Sequence, residues 1–165
     1  MYYQKYNCPF SGIYLESDGE YLTGLWFENS KDGSKHSKNL LMKDLPIFEE
    51  TKKRLDIYFE GKIPSFTPKY KIYNLTPFRK KVIDIMLTIF YGKFITYNDI
   101  AKKIAKMDNI LKMSSQAVGG AVGWNPICII IPCHRVVGQN GNLTGYGGGL
   151  NNKIELLELE KKRYD

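Results

Sequence analysis

The sequence ICIIIPCHRVVG at residues 127–138 decides how this 165-residue chain is read. The β-branched run at residues 127–131 predicts a short buried strand, and Pro132 ends that strand. Because the proline ring fixes the backbone, Cys133 is expected on a stiff corner directly after the strand. The next residue is His134, one of only two histidines in the chain. The stretch therefore predicts a thiol held in place beside an imidazole.

A thiol beside an imidazole is typical of sites that carry out nucleophilic catalysis. The reactive form is the thiolate, and an ordinary cysteine with a pKa of about 8.5 is only a few per cent ionised at neutral pH. His134 is the candidate base, acting directly or through a water molecule, and Arg135 adds positive potential that favours the anion. We therefore predict that Cys133 is a nucleophile.

The end of the chain predicts a helix that begins after a cap at Asn151. The residues expected to face inward are Leu150, Ile154, Leu156 and Leu157. Glu160 falls on the same side, and a buried carboxylate needs a partner to offset its loss of solvation. His134 is one candidate partner, but Lys153, Lys161 or a backbone amide would also serve. The helical pattern alone leaves this choice open.

Three further helices are predicted in the region before residue 127. Their start signals are Thr76 with Pro77, Thr96 with Asp99, and Ser114 or Ser115, and Gly92 is expected to end the first helix. The third helix spans residues 116–123 and contains three glycines, each costing about 1 kcal/mol relative to alanine. Its narrow surface predicts close approach to a bulky partner, as when a helix-turn-helix enters a DNA groove. Close packing against another helix is the alternative.

The first half of the chain predicts a small α/β unit. The expected elements are strands at residues 11–17 and 20–27 around a tight Asp18-Gly19 turn, a polar loop at 29–39, and a helix that starts at Pro46 and stops at Gly61. Prolines punctuate residues 62–75, which are therefore expected to link the two halves.

Composition and charge narrow the class of protein. Hydrophobic residues make up 43% of the chain and charged residues 25%, which excludes intrinsic disorder. No apolar run is long enough for a signal peptide or a membrane span, and three cysteines cannot form a closed disulfide set. We therefore expect a cytoplasmic protein. The net charge is +7, of which residues 74–165 account for +6. Such a surface suits a polyanion such as nucleic acid, and charge alone leaves open the alternative of a merely solubilising surface.

Several motifs together resemble the 6-O-methylguanine-DNA methyltransferase family. They are Asn125-Pro126, the Pro-Cys-His-Arg-Val-Val run at 132–137, Tyr-Gly-Gly-Gly-Leu-Asn-Asn-Lys at 146–153 and Leu-Leu-Glu-Leu-Glu at 156–160. The resemblance covers about residues 76–163. It implies an α/β ribonuclease-H-like domain, which we place at residues 1–73, and a mainly α winged helix-turn-helix domain, which we place at residues 74–165.

The family resemblance also implies an activity, namely direct-reversal DNA repair. A damaged nucleotide is flipped out of the duplex, and the alkyl group on O6 of guanine moves irreversibly to a cysteine. The implied partner is double-stranded DNA that contains alkylated guanine, bound by a monomer, and no cofactor or membrane is involved. The motifs leave open whether alkylated thymine is also accepted.

The resemblance assigns roles residue by residue. Cys133 is the implied acceptor, and Glu160, His134 and a bridging water form the implied proton relay. Asn125 is expected to join the recognition helix to the corner, and Tyr97 to hydrogen-bond the guanine. The implied substrate contacts are Val136, Tyr146, Gly147 and Lys153. The implied DNA contacts are Ser115, Gln116, Ala117, Gly120 and Arg135.

This sequence departs from the family pattern at two positions. Gln116 stands where many members place an intercalating arginine, so we expect weaker base flipping. Gly147 stands where a serine often lines the guanine loop, which leaves only a backbone amide for the contact. The metal site of some relatives is not expected either, because Cys8 and His36 alone are too few ligands for a structural zinc ion.

Three other readings of the cysteine stretch compete with alkyl transfer. A cysteine hydrolase could use Cys133, His134 and Glu160, but it would leave the basic second half unexplained. A DNA-binding relative that only senses lesions shares the fold, but relatives of that type lack the acceptor thiol that is present here. A zinc site formed by Cys128, Cys133 and His134 lacks a fourth ligand. Alkyl transfer to Cys133 is therefore the favoured expectation.

Overall fold

A mixed sheet covered by one helix forms the first half of the molecule. The computed structural model describes residues 1–143 and 146–162. The strands of this sheet are β1 (Tyr2–Cys8), β2 (Ser11–Ser17), β3 (Leu22–Phe27) and β4 (Leu41–Met42), in the spatial order β3-β2-β1-β4. The first three strands pair antiparallel, and β4 pairs parallel with β1. The helix α1 (Pro46–Phe59) contacts β1 and β2.

The sheet is larger than the predicted pair of strands. β2 has the predicted bounds, but β3 begins at Leu22 because Asp18 Oδ1 accepts hydrogen bonds from the amides of Glu20 and Tyr21 and holds a wider turn. The strand β1, which the sequence analysis missed, mixes tyrosines with polar residues and alternates only weakly. The helix α1 begins at Pro46 as predicted.

The second half is mainly helical, with helices α2 (Pro77–Met86), α3 (Tyr97–Met107), α4 (Ser115–Trp124) and α5 (Leu150–Lys162). The predicted start signals are confirmed: Thr76 and Ser114 cap α2 and α4, and Thr96 forms a reciprocal capping box with Asp99 at α3. The helix α2 ends at Met86, six residues before the predicted stop at Gly92. Residues 108–114 connect α3 to α4, and these two helices pack against each other and against α2.

The prediction of a strand at residues 127–131 is wrong. These residues are buried, but they form consecutive tight turns, and Ile129 adopts a left-handed conformation with a φ of 70°. Only Ile127 forms a bridge to the outer edge of β3, where the Cys128 amide donates to the carbonyl of Leu25. The β-branched run therefore correctly indicates that these residues are buried, but it does not indicate an extended backbone. The strand β6 (Val136–Val137) follows the turns and pairs parallel with β5 (Ile95–Thr96), which lies directly before α3.

The buried face of α5 differs from the predicted one. Leu150 and Ile154 are 46% and 38% exposed, whereas the buried residues are Asn152, Lys153, Leu156 and Glu160. The helix already begins at Leu150, so Asn151 lies in its first turn and is not its cap. One hydrophobic core joins the sheet, α1 and the helices of the second half. Among the described residues, no helix has the length and apolar character needed to cross a membrane.

Candidate active site

Cys133 lies at a tight corner, as the sequence predicts, although no strand precedes it. It is the first residue of a 3₁₀ turn, Cys133–Arg135, which follows Pro132 directly. The Cys133 amide donates to the carbonyl of Ile131, and the Arg135 amide donates to that of Pro132. Cys133 is 4% exposed, so the turn holds the thiol inside the protein.

His134 and Glu160 form a buried pair beside this thiol. The distance from His134 Nε2 to Glu160 Oε2 is 2.5 Å, and both side chains are almost completely buried. Glu160 therefore projects from the inner face of α5, and His134 is the partner that the helical pattern had left open. The amide of Gly92 also donates to Glu160 Oε1, at 3.1 Å, so a backbone partner is present as well.

Electrostatics fix the protonation states of the pair. Burial opposes ionisation of Glu160, but His134 and Arg135 hold the pKa of its carboxyl group well below the usual range. Burial lowers the pKa of His134, against the attraction of Glu160, so the imidazole is neutral at neutral pH. A neutral imidazole that donates from Nε2 presents Nδ1 as an acceptor. In the part of the chain that the structure describes, His134 Nδ1 has no protein partner.

The surroundings of Cys133 favour its anion. A hydrogen bond with the side chain of Cys128 lowers the pKa of Cys133, burial opposes this, and Asn125 acts in the same direction as Cys128. Asn125 follows the end of α4, where its side chain donates to the carbonyl of Ile131 at 2.9 Å and accepts from the amide of Ile127 at 3.0 Å. This arrangement joins α4 to the corner that bears the thiol.

Lys153, on α5, is completely buried. Its ammonium group donates to the carbonyl of Val136 at 2.7 Å, and it lies 5.9 Å from the ring centre of Tyr97 and 5.6 Å from that of Tyr146. Burial lowers the pKa of Lys153, and Cys133 opposes this effect. The ammonium of Lys153 therefore lies close to two aromatic side chains of the predicted pocket. Any substrate contact to the carbonyl of Val136 must share that oxygen with Lys153.

An open cavity of about 470 Å³ lies where α3 and α4 begin. Its lining residues are Tyr97, Asn98, Ser115, Gln116, Gly119, Gly138 and Gln139. Tyr97 lines this cavity, burial raises the pKa of its hydroxyl, and the charge of Cys133 adds to this effect. The predicted DNA contacts on α4, Ser115, Gln116, Ala117 and Gly120, are all exposed. Ser115 and Gln116 line this cavity, whereas Ala117 and Gly120 line a second open cavity beside the start of α2. The first cavity has the volume of an ordinary small-molecule site.

Two other residues with predicted contacts, Arg135 and Gly147, have partners inside the protein. The Arg135 side chain is only 11% exposed, and its guanidinium donates to Glu160 Oε1 at 2.8 Å and to the carbonyl of Ile89 at 2.7 Å. These contacts use several of its donors inside the protein, and its DNA contact stays a prediction. Gly147 packs against Asp32, where a Cβ atom would lie 2.6 Å from the carboxylate, and a substrate contact from its amide stays a prediction.

Several residues at the site were missed by the sequence analysis. The Tyr58 hydroxyl, from α1, donates to Glu160 Oε2 at 2.6 Å, and the Cys128 thiol donates to Asp32 Oδ2 at 3.4 Å. Cys128 was visible as a buried cysteine within the key stretch, but nothing in the sequence marks Tyr58 or Asp32. His36 stacks on Trp26 away from this site, and within residues 1–143 and 146–162 no cluster of three metal-ligating side chains occurs.

Comparison with known proteins assigns both halves of the chain. The model of the 6-O-methylguanine DNA methyltransferase ribonuclease-like domain matches residues 1–69, and that of the DNA binding domain of the same family matches residues 77–162. The chain thus has these two domains, and the exact boundary between residues 73 and 74 stays a prediction.

Relatives and solved structures agree with the family models over nearly the whole chain. The methylated-DNA–protein-cysteine methyltransferase of Methanosarcina acetivorans is 40% identical, over 97% of this chain and 98% of that protein. The Haemophilus influenzae protein of the same name is 37% identical, over 99% of this chain and 88% of its own length. The crystal structure of Mycobacterium tuberculosis OGT in complex with DNA superposes with a TM-score of 0.84 at 36% identity, over 99% and 94% of the two chains. The chain belongs to the 6-O-methylguanine-DNA methyltransferase family.

Proposed function

We propose that this protein repairs DNA by moving an alkyl group from O6 of guanine to Cys133, once per molecule. The observation that carries the proposal is the buried His134–Glu160 pair, 2.5 Å apart, whose histidine directly follows Cys133 in one tight turn. The family supports this activity, since relatives of this chain are named methylated-DNA–protein-cysteine methyltransferases. The open cavity beside Tyr97 gives a flipped base a place to bind.

The first step generates the thiolate. A water molecule held between Cys133 Sγ and His134 Nδ1 passes the thiol proton to the imidazole. Glu160 then stabilises the imidazolium that forms, and it keeps the imidazole oriented through Nε2. Because His134 begins neutral and Glu160 begins ionised, the pair is ready to accept one proton at neutral pH.

The second step moves the alkyl group. The Cys133 thiolate attacks the alkyl carbon in line, so that a sulfur–carbon bond forms while the bond from that carbon to O6 breaks. The bonding electrons go to O6, and the leaving purine takes one proton, for which the Tyr97 hydroxyl is the proposed donor. The imidazolium of His134 gives its proton to solvent, and the tyrosinate of Tyr97 takes one back from solvent, so that the net change moves the thiol proton to guanine. Since the pKa of Tyr97 is raised by burial, this hydroxyl is protonated at neutral pH. The products are unmodified guanine and S-alkylcysteine, a thioether that resists hydrolysis, so each molecule reacts once.

Substrate binding requires the target base to leave the duplex, because the alkyl group is otherwise packed inside it. We propose that α3, residues 108–114 and α4 act as the helix-turn-helix of a winged domain, with the exposed face of α4 in the groove. Lysine and arginine contacts to phosphates supply a salt-dependent part of the affinity. Gln116 lies on this exposed face beside the cavity and is the proposed uncharged wedge.

We also propose that the protein is a monomer in a reducing compartment. Cys8, Cys128 and Cys133 are all free thiols, which suits a reducing compartment such as the cytoplasm. The site is assembled from side chains of one chain, which suits a monomer. Size-exclusion chromatography with light scattering across a range of concentrations tests the monomer directly.

Mass spectrometry after incubation with a methylated duplex tests the activity. We expect one methyl group per chain at most, located on Cys133, with Cys8 and Cys128 unmodified as internal references. Cys133→Ser is the matched control, which is expected to bind the duplex without accepting a methyl group. Repeated turnover with an unmodified chain would favour a hydrolytic enzyme, and binding without any methyl transfer would favour a lesion sensor.

A further inference from the structure

The loop at residues 146–149, which we call the guanine loop, carries two of the predicted substrate contacts, Tyr146 and Gly147. It belongs to the DNA-binding domain and forms a tight turn, in which the Gly149 amide donates to the carbonyl of Tyr146 at 3.1 Å. Gly149 has a left-handed backbone with a φ of 96°, and α5 begins directly after it. The position of this turn decides where the Tyr146 ring and the Gly147 amide would meet a flipped base.

Asn152, on α5, connects the guanine loop to the first domain. Asn152 is 3% exposed, and its side-chain nitrogen donates to the carbonyl of Gly148 at 2.7 Å and to Asn29 Oδ1 at 3.0 Å. A side-chain amide nitrogen carries two hydrogens, so both are used in these bonds. Asn29 lies in the ribonuclease-like domain, shortly after the end of β3. A chain of hydrogen bonds therefore runs from the first domain through Asn152 to the guanine loop.

A second contact joins the same two parts of the protein. Asp32, three residues after Asn29, is 3% exposed, and a Cβ atom added at Gly147 would lie 2.6 Å from its Oδ1 atom. Lys35 Nζ lies 2.6 Å from the same oxygen, so the carboxylate is held in place by an ion pair. Residues 29–32 of the first domain thus meet the guanine loop twice, directly at Gly147 and through Asn152 at the next residue.

The composition of the guanine loop explains why such contacts matter. Three of its four residues are glycines, which lose more conformational freedom on ordering than any other residue. A loop that is fixed before the base arrives does not have to be ordered by the base, and binding of the base is more favourable by that amount. The benefit applies to the flipped base alone, because the proposed contacts with the rest of the duplex lie on α4. Fixing the loop therefore favours transfer without raising the affinity for undamaged DNA.

We propose, on the basis of the function proposed above, that Asn152 and Asn29 are positioning residues that hold the guanine loop ready for the flipped base. Asn152 holds the loop through the carbonyl of Gly148, and Asn29 holds Asn152 through its second amide hydrogen. The first domain thus acts on base recognition, in addition to its contact with the proton relay through Tyr58.

The test compares Asn29→Ala with Asn29→Asp, because aspartate keeps an acceptor for the Asn152 amide and alanine does not. Asn29 is exposed, so both variants are expected to fold. We expect Asn29→Ala to slow single-turnover methyl transfer from a methylated duplex by about threefold to tenfold, as the loss of one hydrogen bond does, and Asn29→Asp to stay within about twofold of the wild type.

Asn152→Leu removes both hydrogen bonds in a side chain of similar size. We expect it to slow transfer by about tenfold or more, because the guanine loop loses its direct partner. Asn151→Leu is the matched control, since Asn151 is exposed on the same helix, and it is expected to transfer at the wild-type rate. If Asn152→Leu folds poorly, as judged by thermal melting, the two Asn29 variants decide the outcome.

Two further measurements separate positioning of the loop from a merely structural role. The affinity for an unmethylated duplex, by fluorescence anisotropy, and the rate of Cys133 alkylation by iodoacetamide are both expected to stay at wild-type values in Asn29→Ala. Neither process needs a base held by the guanine loop. A fall of either quantity in parallel with transfer would overturn the proposal, and so would equal transfer rates for Asn29→Ala and Asn29→Asp.

Hydrogen exchange keeps the proposal testable if the proposed function fails. If the wild type takes up no methyl group, the repair function is wrong, but the exchange of amides at residues 146–149, followed by mass spectrometry, still reports whether Asn29 holds the loop. We expect faster exchange there in Asn29→Ala than in Asn29→Asp. Equal exchange in the two variants would show that Asn29 does not position the guanine loop.

Discussion

The hydroxyl of Tyr58 donates a 2.6 Å hydrogen bond to Oε2 of Glu160, although 102 residues separate the two along the chain. Tyr58 lies on α1 in the ribonuclease-like domain, and Glu160 lies on α5 in the DNA-binding domain. Both side chains are buried, and burial raises the pKa of Tyr58 well above its ordinary value, so the hydroxyl remains a donor. The first domain therefore contacts the carboxylate that orients His134.

Tyr58→Phe removes only the hydroxyl of this tyrosine. Hydrogen bonds to charged groups contribute about 1.5–3 kcal/mol, so we expect a loss of stability of about 2 kcal/mol and slower alkyl transfer. The loss of stability is measured by urea denaturation, and the rate by single-turnover transfer from a methylated duplex. The reason for the slower transfer is that Glu160 loses one of the donors that hold its carboxylate against His134.

Tyr6→Phe is the matched control for Tyr58→Phe. The Tyr6 hydroxyl also donates to a carboxylate, that of Asp56 at 2.7 Å, but this bond is exposed and lies outside the site. We expect this variant to lose less than about 1 kcal/mol, as exposed polar contacts do, and to keep the wild-type transfer rate. If both variants slow transfer equally, the contact between Tyr58 and Glu160 has no special role.

Glu160→Gln changes the pH dependence of the thiol. Without the carboxylate, the imidazolium of His134 is less stable, so the thiolate forms less readily and the apparent pKa of Cys133 rises. A thiolate is populated above its pKa and lost below it, so the variant loses most reactivity at neutral pH and regains it as the pH rises. Alkylation of Cys133 by iodoacetamide across pH 5–10 measures the shift, for which about one unit is expected.

Glu155→Gln controls for the loss of a negative charge on the same helix, since Glu155 is exposed on α5. Its profile is expected to match that of the wild type. An unshifted profile in Glu160→Gln would remove Glu160 from the proton relay.

Lys153→Met replaces a buried ammonium with an apolar side chain of similar length. The carbonyl of Val136 loses its donor, and the rings of Tyr97 and Tyr146 lose the cation between them. Relief from burying a charge offsets the lost hydrogen bond, so we expect stability to change by less than about 1 kcal/mol. Transfer is expected to slow by about tenfold or more, because the walls of the pocket lose their brace. Lys161→Met, at an exposed position of α5, is expected to change neither quantity.

The central chemistry of the site was accessible from the sequence because it is local. Cys133 and His134 are adjacent, and a proline before them fixes the corner that the structure contains. Glu160 could be placed on the inner side of α5 from helical spacing, and its contact with His134 is confirmed. Caps at Thr76, Thr96 and Ser114 were equally local and were correct. Such features can be predicted from residues that lie close together in the sequence.

The remaining features depend on contacts between distant parts of the chain. The turns at residues 127–131 follow from docking against β3, and no local pattern distinguishes them from a buried strand. The helix α5 buries Lys153 because the carbonyl of Val136 accepts a hydrogen bond from its ammonium group, which hydrophobic periodicity cannot anticipate. Asp32 was assigned to a polar loop, yet it is 3% exposed and contacts Cys128 from 96 residues away.

Gly120→Ala separates the folding role of α4 from its proposed role in DNA binding. Gly120 is exposed, and a Cβ atom placed there meets no other atom within 4 Å, so alanine is expected to stabilise the helix by up to about 1 kcal/mol. The added methyl group points from the face that we place in the groove, so duplex affinity is expected to fall by about tenfold, or about 1.4 kcal/mol.

Gly123→Ala is the control, because its Cβ also meets no atom within 4 Å, and it lies near the end of α4 beside Lys35 of the first domain. Urea denaturation and fluorescence anisotropy with a labelled duplex measure the two quantities. Equal affinities for the two variants would mean that Gly120 does not face DNA, and that its glycine serves neither stability nor recognition.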